Sequence, residues 1–225
     1  MAAVTGLPPC PLCKNEAPHI LCERKSGASI RLFWHCSTCD LVFLDPKLRF
    51  DEAAEKKHYG LHQNSIDDGR YREFLQKLIT PLLKEVERID GKRAFGLDFG
   101  SGPTPVLGDL IRQSGHQMEN FDPFFANDRA VLGHRYDFVS CCEVVEHMYD
   151  PHAGFTQLDA VLKPSGFLGL MTGMIPDWSR FSSWHYPQEA THVCFYSAKT
   201  MAWIATFFNW RLISSAANVT IFQKN

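Results

Sequence analysis

Phe95-Gly96-Leu97-Asp98-Phe99-Gly100-Ser101-Gly102 carries an apolar run into a glycine-rich bend. The run reads as a strand, and glycines at its end let the backbone turn sharply and approach a bound molecule closely. Such a bend also serves plain helix packing, so the downstream residues decide between the two roles. Twenty-two residues after Gly100, Asp122 closes the next apolar stretch in Glu119-Asn120-Phe121-Asp122-Pro123, where a carboxylate can accept both hydroxyls of a ribose. As a turn residue before proline it would only shape a loop. Glycines at one strand tip beside a carboxylate at the next are the makings of a nucleoside site on the carboxyl edge of a parallel sheet.

Outward from this pair, short apolar runs alternate with amphipathic stretches. Strands are predicted near 94–99, 117–121, 137–141 and 167–172, with helices over 104–114 and 151–162. Upstream, Phe74, Leu78, Leu82, Val86 and Ile89 recur at helical spacing, which predicts a long amphipathic helix from Tyr71 to Ile89. Downstream come a helix near 197–208 and two strands near 210–216 and 218–223, close enough to form an antiparallel hairpin. This alternation predicts an α/β fold, a mostly parallel sheet with helices on both faces.

The N-terminal segment differs in kind. Cys10-Pro11-Leu12-Cys13 and Cys36-Ser37-Thr38-Cys39 are two CxxC pairs separated by 22 residues. A CxxC turn presents two thiolates to one ion, and two such turns close the tetrahedron that zinc prefers. Four thiolates leave no open coordination position, so Cys10, Cys13, Cys36 and Cys39 predict a structural zinc. Cys22, Cys141, Cys142 and Cys194 lack such partners and read as free thiols. Ile30, Leu32 and Trp34 alternate before the second pair and Leu41-Val42-Phe43 come after it, the pattern of a ribbon of short strands. The expected organisation is a zinc ribbon over 1–45, a linker or lid over 46–70 and the α/β domain over 71–225. The stretch 46–66 is polar and irregular, and its His58, Tyr59, His62 and Asn64 either cover a pocket or form a solvated loop.

With a net charge of -2, the chain has no general positive field to gather phosphate backbones, so a nucleic-acid partner is possible but not favoured. Arg24, Lys25 and Arg31 either form a local basic patch or are ordinary solvated charges. No apolar run approaches the roughly 18–20 residues of a membrane span, and the start lacks the basic and apolar sections of a secretory leader, so a cytoplasmic protein with no membrane partner is expected.

The ordered motifs LDFGSG, FDP, YDFVSCCEVVEH and LKPSGFLGLMTG resemble the Rossmann-like, class I S-adenosylmethionine (SAM)-dependent methyltransferases over residues 94–173. With CPLC, HCSTCDLVFLDP and WHYPQEATHVCFYS added, the chain is similar to a group of bacterial methyltransferases that carry an N-terminal zinc ribbon. The resemblance implies SAM as cofactor, in a site holding Asp98, Gly100, Ser101 and Gly102, the last three along the methionine part. It places Asp122 at the ribose, and Cys142 with Glu143 beside the sulfonium. Two departures stand out. Thr104 replaces the family's third glycine, and only thirteen residues separate Asp122 from Tyr136, so the third strand is expected to be missing or shortened.

Glu143-Val144-Val145-Glu146-His147 lies just past a strand, and helical spacing would put Glu143, Glu146 and His147 on one face. With His192 as a fourth donor they could hold a divalent ion, Mg or Mn. The arrangement is similar to that of the RNA terminal-ribose O-methyltransferases, whose metal orients neighbouring hydroxyls. Many methyltransferases carry the same string without metal, the histidine closing the SAM pocket. His185-Tyr186, His192 and Tyr196 form a second polar-aromatic cluster. His147, His185, His192 and Tyr186 are accordingly candidate catalytic residues, against the alternative of hydrogen-bonded structural side chains. The expected activity is methyl transfer to a small-molecule acceptor. The competing readings are an RNA or protein methyltransferase that docks its substrate on the ribbon, and a scaffold that keeps the fold without the chemistry.

Overall fold

A computed structural model describes residues 7–26, 29–60, 65–90, 93–175 and 178–225. His62 and Asn64 lie outside the described residues, as does the side chain of Ile89. The chain opens with β1 (His19–Ser26), β2 (Ser29–His35) and β3 (Val42–Leu44), an antiparallel set around the cysteine pairs. Then come α1 (Glu52–Tyr59) and α2 (Gly69–Asp90). The α/β part consists of β4 (Phe95–Phe99), α3 (Val106–Gln113), β5 (Gln117–Phe121), β6 (Tyr136–Cys142), α4 (Pro151–Val161) and β7 (Leu162–Met171). Last are β8 (Cys194–Phe195), α5 (Ala198–Phe207), β9 (Trp210–Ala216) and β10 (Val219–Lys224).

The main sheet has the order β5-β4-β6-β7-β10-β9. Its β5, β4, β6 and β7 are mutually parallel, and β10 runs antiparallel to both its neighbours. This is the expected α/β class, and the hairpin of β9 and β10 closes one side. Between β5 and β6 the chain makes only a short helical turn, Arg129–Gly133, so β5 is the edge where a third strand would sit.

Alternation along the strands sorts the core into two layers. Phe138, Phe167, Met171 and Ile221 face Leu75, Leu78, Ile79, Leu82 and Val86 of α2 and Val106 and Ile111 of α3. Leu97, Val139, Leu168, Leu170 and Phe222 face the other way, toward Phe155 and Leu158 of α4 and Met201 and Ile204 of α5. That second layer runs without a break into Phe33, Trp34 and Leu41 to Leu44 of the N-terminal unit. The small sheet likewise has the order β1-β2-β3-β8, so Cys194–Phe195 completes it from the far end of the sequence.

Two local expectations change. The stretch 46–66 contains a helix, α1, where polar, irregular chain was expected. Its Asp51 cap accepts from Ala54 N at 2.8 Å, with Glu52 and Glu55 in the first turn and Lys56, Lys57 and His58 in the last. Capping and charge order stabilise such a helix without the apolar period that reveals one in sequence. The segment after β6 is not α-helical: Glu143 has φ 52° and only Val145–His147 make a single tight turn.

Candidate functional site

The glycine bend and Asp122 sit side by side because β4 and β5 are paired in parallel with Phe99 opposite Phe121. Gly100 N and Ser101 N donate to Phe121 O at 2.7 and 3.1 Å, and Gly102 N donates to Asp122 Oδ2 at 2.9 Å. Gly100 has φ 83°, and a Cβ there would lie 2.3 Å from Val144 Cγ2, so both conformation and space demand glycine. Gly102 has φ 66° and opens onto empty space. The other oxygen of Asp122 accepts from Phe124 N and Phe125 N at 2.9 and 3.1 Å, which holds this buried carboxylate rigidly. Ser101 Oγ is buried beside it with no hydrogen-bond partner among the described residues, a polar atom left over for a ligand.

These residues line one end of a cavity of about 860 Å³, within the range of ligand pockets. Cys142 and Glu143 line it at the tip of β6. Asp98 lies beneath the floor, outside the lining, where its carboxylate accepts from Ser140 Oγ at 3.0 Å. Burial pushes its pKa up to about 7.

At the other end stand His147, Tyr186 and His192, with Tyr59 and Glu55 of α1 above them. Tyr59 OH donates to Glu55 Oε1 at 2.7 Å, its ring meets His147 edge-on at 5.2 Å, and His58 pairs with Glu189 at 2.7 Å. Beneath them Glu146 is fully buried and accepts from the Tyr186 hydroxyl and, at 2.9 Å, from Thr172 Oγ1. Glu143 Oε2 lies 3.0 Å from the Tyr186 hydroxyl. Burial, then the charge of Glu146, pushes Glu143 up to about 8, and burial raises Glu146 as well.

His147 Nδ1 contacts Thr191 O at 3.1 Å and His192 Nδ1 contacts Tyr186 O at 2.9 Å. A carbonyl only accepts, so each Nδ1 carries the hydrogen and the lone pair is on Nε2. Donor atoms of Glu146, His147 and His192 all fall within 4.8 Å of one another. Glu143, expected with them, is outside this group. His185 lies on the exposed rim, against Trp184 and Tyr186 and away from the converging donors. Tyr196 leaves the polar cluster altogether: it is buried, and its hydroxyl donates to Val145 O at 2.9 Å, bracing the turn.

The four N-terminal cysteines converge too. Cys10 and Cys39 sulfurs are 3.5 Å apart and those of Cys13 and Cys36 are 3.4 Å apart, and all four fall within 4.8 Å. The two turns match: Lys14 N donates to Cys10 O at 2.9 Å and Asp40 N to Cys36 O at 2.7 Å, with Lys14 at φ 61° and Asp40 at φ 63°. Among the described residues, no helix is long and apolar enough to cross a membrane.

The chain matches a family of methyltransferase domains over residues 70–215. It is similar to a ubiquinone biosynthesis O-methyltransferase of Actinobacillus pleuropneumoniae, 27% identical over 95 residues covering 40% of this chain and 41% of that protein. The corresponding protein of Citrobacter koseri is 31% identical over 85 residues, 38% of this chain and 35% of that one. The chain thus spans about two fifths of the length of the curated relatives it matches. In fold it is similar to the 1,6-didemethyltoxoflavin-N1-methyltransferase of Burkholderia thailandensis, solved with 1,6-didemethyltoxoflavin and S-adenosylhomocysteine. The TM-score is 0.53 at 14% identity, covering 90% of this chain and 99% of that one. An O-methyltransferase family protein of the same organism gives 0.51 at 13%, covering 76% and 63%. With the family matched over more than half of its length and the fold in agreement, the chain belongs to the class I SAM-dependent methyltransferases.

Proposed function

We propose that the protein methylates a hydroxyl of a small-molecule acceptor. The observation that carries this reading is one cavity with a glycine-and-carboxylate nucleoside cradle at one end and His147 and His192 at the other, backed by the buried Glu146. The ubiquinone biosynthesis O-methyltransferases among its relatives support oxygen as the acceptor atom. The lining supports a small molecule over RNA: among the described residues it holds Glu55, Asp122, Glu143 and Glu189 but no lysine or arginine to meet phosphates.

SAM, when bound, supplies a methyl group on a positively charged sulfur, so the protein's main task is alignment. Gly100 and Gly102 let the backbone come close, Ser101 Oγ offers an unspent hydrogen bond, and Asp122 stands ready for the ribose hydroxyls. Cys142 and Glu143 face the sulfonium end. Tyr59 and Glu55 cover the acceptor end and exclude water.

Glu146, His147 and His192 would hold a divalent cation, which would orient an acceptor oxygen and lower the pKa of its hydroxyl. Two imidazoles and one carboxylate suit manganese better than magnesium, which takes oxygen donors and keeps its waters. Burial, then neighbouring His147, holds His192 down to about 3, which keeps its lone pair available to a cation and makes it a poor proton acceptor. Cys10, Cys13, Cys36 and Cys39 would hold zinc: bonds of about 2.3 Å in a tetrahedron place sulfurs about 3.8 Å apart, and the observed cluster has nearly that size. Burial pushes Cys13 up to about 12, so a dication is needed to keep all four as thiolates.

The test is methyl transfer from labelled SAM to a panel of ortho-dihydroxybenzenes and to RNA, with manganese titrated into wild type and Glu146→Ala. Label on a dihydroxybenzene, with a metal dependence lost in the variant, is expected. Label on RNA alone, or identical metal dependence in both proteins, overturns the reading.

A further inference from the structure

We infer that Arg31, on β2 of the N-terminal unit, is a positioning residue for the acceptor end of the cavity, assisted by Arg24 on β1. Arg31 Nη1 donates to Pro187 O and Glu189 O at 2.7 and 2.9 Å, and its Nη2 donates to Ala190 O and His192 O at 3.3 and 2.8 Å. Arg24, directly opposite in the β1–β2 register, donates through Nη1 to Trp184 O at 2.9 Å and Phe181 O at 3.5 Å. The guanidinium of Arg31 is also seated 5.4 Å over the ring of Phe33. These arginines form no outward basic patch and are not solvated charges: they face the inside of the molecule, while Lys25 is exposed.

The segment they hold has little regular structure of its own, only short 3-10 turns at Trp178–Ser183 and Tyr186–Gln188. Its carbonyls are distributed between two sets of donors. Those of Tyr186 and Thr191 accept from the imidazoles of His192 and His147, while those of residues 187, 189, 190 and 192 accept from Arg31. Arg31 therefore shapes the frame that sets the tautomer and orientation of both histidines. Glu189, which joins α1 through His58, hangs from the same frame. A planar fork with five donors can serve four carbonyls, and a lysine ammonium with three donors on one atom cannot. The N-terminal unit is on this account a structural part of the acceptor site. The catalytic meaning of the clamp rests on the methyltransferase reading above, but its geometry does not.

The full-length protein is compared with Arg31→Ala, Arg31→Lys and Arg24→Ala by amide hydrogen exchange and by calorimetry with SAM. In Arg31→Ala, amides of residues 185–192 should exchange at least about tenfold faster, as a locally released segment does. Amides of 95–102 and SAM affinity should stay at wild-type level. Arg31→Lys and Arg24→Ala should give smaller accelerations, and millimolar ethylguanidinium should slow exchange in Arg31→Ala but not in Arg31→Lys. Unchanged exchange over 185–192 in Arg31→Ala overturns the clamp and leaves the methyltransferase reading standing. Equal acceleration everywhere overturns it as well, since that is global loosening. Wild-type protein that binds no SAM overturns the methyltransferase reading, and with it the catalytic role of the clamp.

Discussion

The two ends of the cavity are built in opposite ways. The donor end comes from one short piece of chain: Gly100, Ser101, Gly102 and Asp122 lie on adjacent strand tips, joined by backbone N–H groups. The acceptor end gathers Tyr59 from α1, Arg31 from β2, Glu143 to His147 from the turn after β6, and Tyr186 and His192 from the segment before β8. Its bonds run from side chains to distant backbone. On the proposed function, local conformation specifies where the methyl donor lies and long-range tertiary structure what is presented to it, so lesions at the two ends should be separable.

The sharpest separation is expected at the acceptor end. His192→Ala, which removes one of the three donors to the cation, should lower turnover roughly 10²-fold or more, with SAM affinity kept. Single-turnover kinetics beside calorimetry checks this, and normal turnover would remove His192 from the chemistry. Next in size, Cys36→Ser should lower the melting temperature by about 10 °C, at roughly 3 °C per kcal/mol for a chain of this size, and should speed exchange over 185–192 before 95–102. Loss of both regions together would break the contrast between the ends. At the donor end, Gly100→Ala should weaken SAM binding about tenfold or more, from strain of about 1–3 kcal/mol, without moving manganese affinity.

The smallest effect is a pH dependence beneath the donor end. Asp98, with a folded pKa near 7, binds its proton more tightly in the native state than in the unfolded chain. Between about pH 4 and 7 the native state therefore holds the extra proton, and stability falls as pH rises through that window. Asp98→Asn should flatten this fall in denaturant titrations at a series of pH values.

The same contrast decides what the sequence reveals. Strand β4, its glycine bend and Asp122 are legible because strand period, turn chemistry and carboxylate spacing all act within a few tens of residues. The six-stranded sheet is legible too, including the thirteen-residue gap that leaves β5 at an edge. The histidines can be named as candidates, but not their carbonyl partners, because hydrogen bonds from Nδ1 to backbone leave no trace in residue types. Arg31 has no motif around it, and Thr172, which supports Glu146, is one hydroxyl at a strand end. Helix α1 escapes because it buries none of its own residues.

The pairing of β3 with Cys194–Phe195 bears on how the protein is made. The ribosome releases Val42 and Phe43 about 150 residues before their partners, a wait of about 8–30 s at ~5–20 residues per second. Throughout that interval the cysteine unit is one strand short, and Arg31 has no carbonyls to bind. A nascent chain stalled before residue 194 should therefore expose Phe33 and Phe43 to chaperones, and a unit synthesised before the main sheet is among the last to become native.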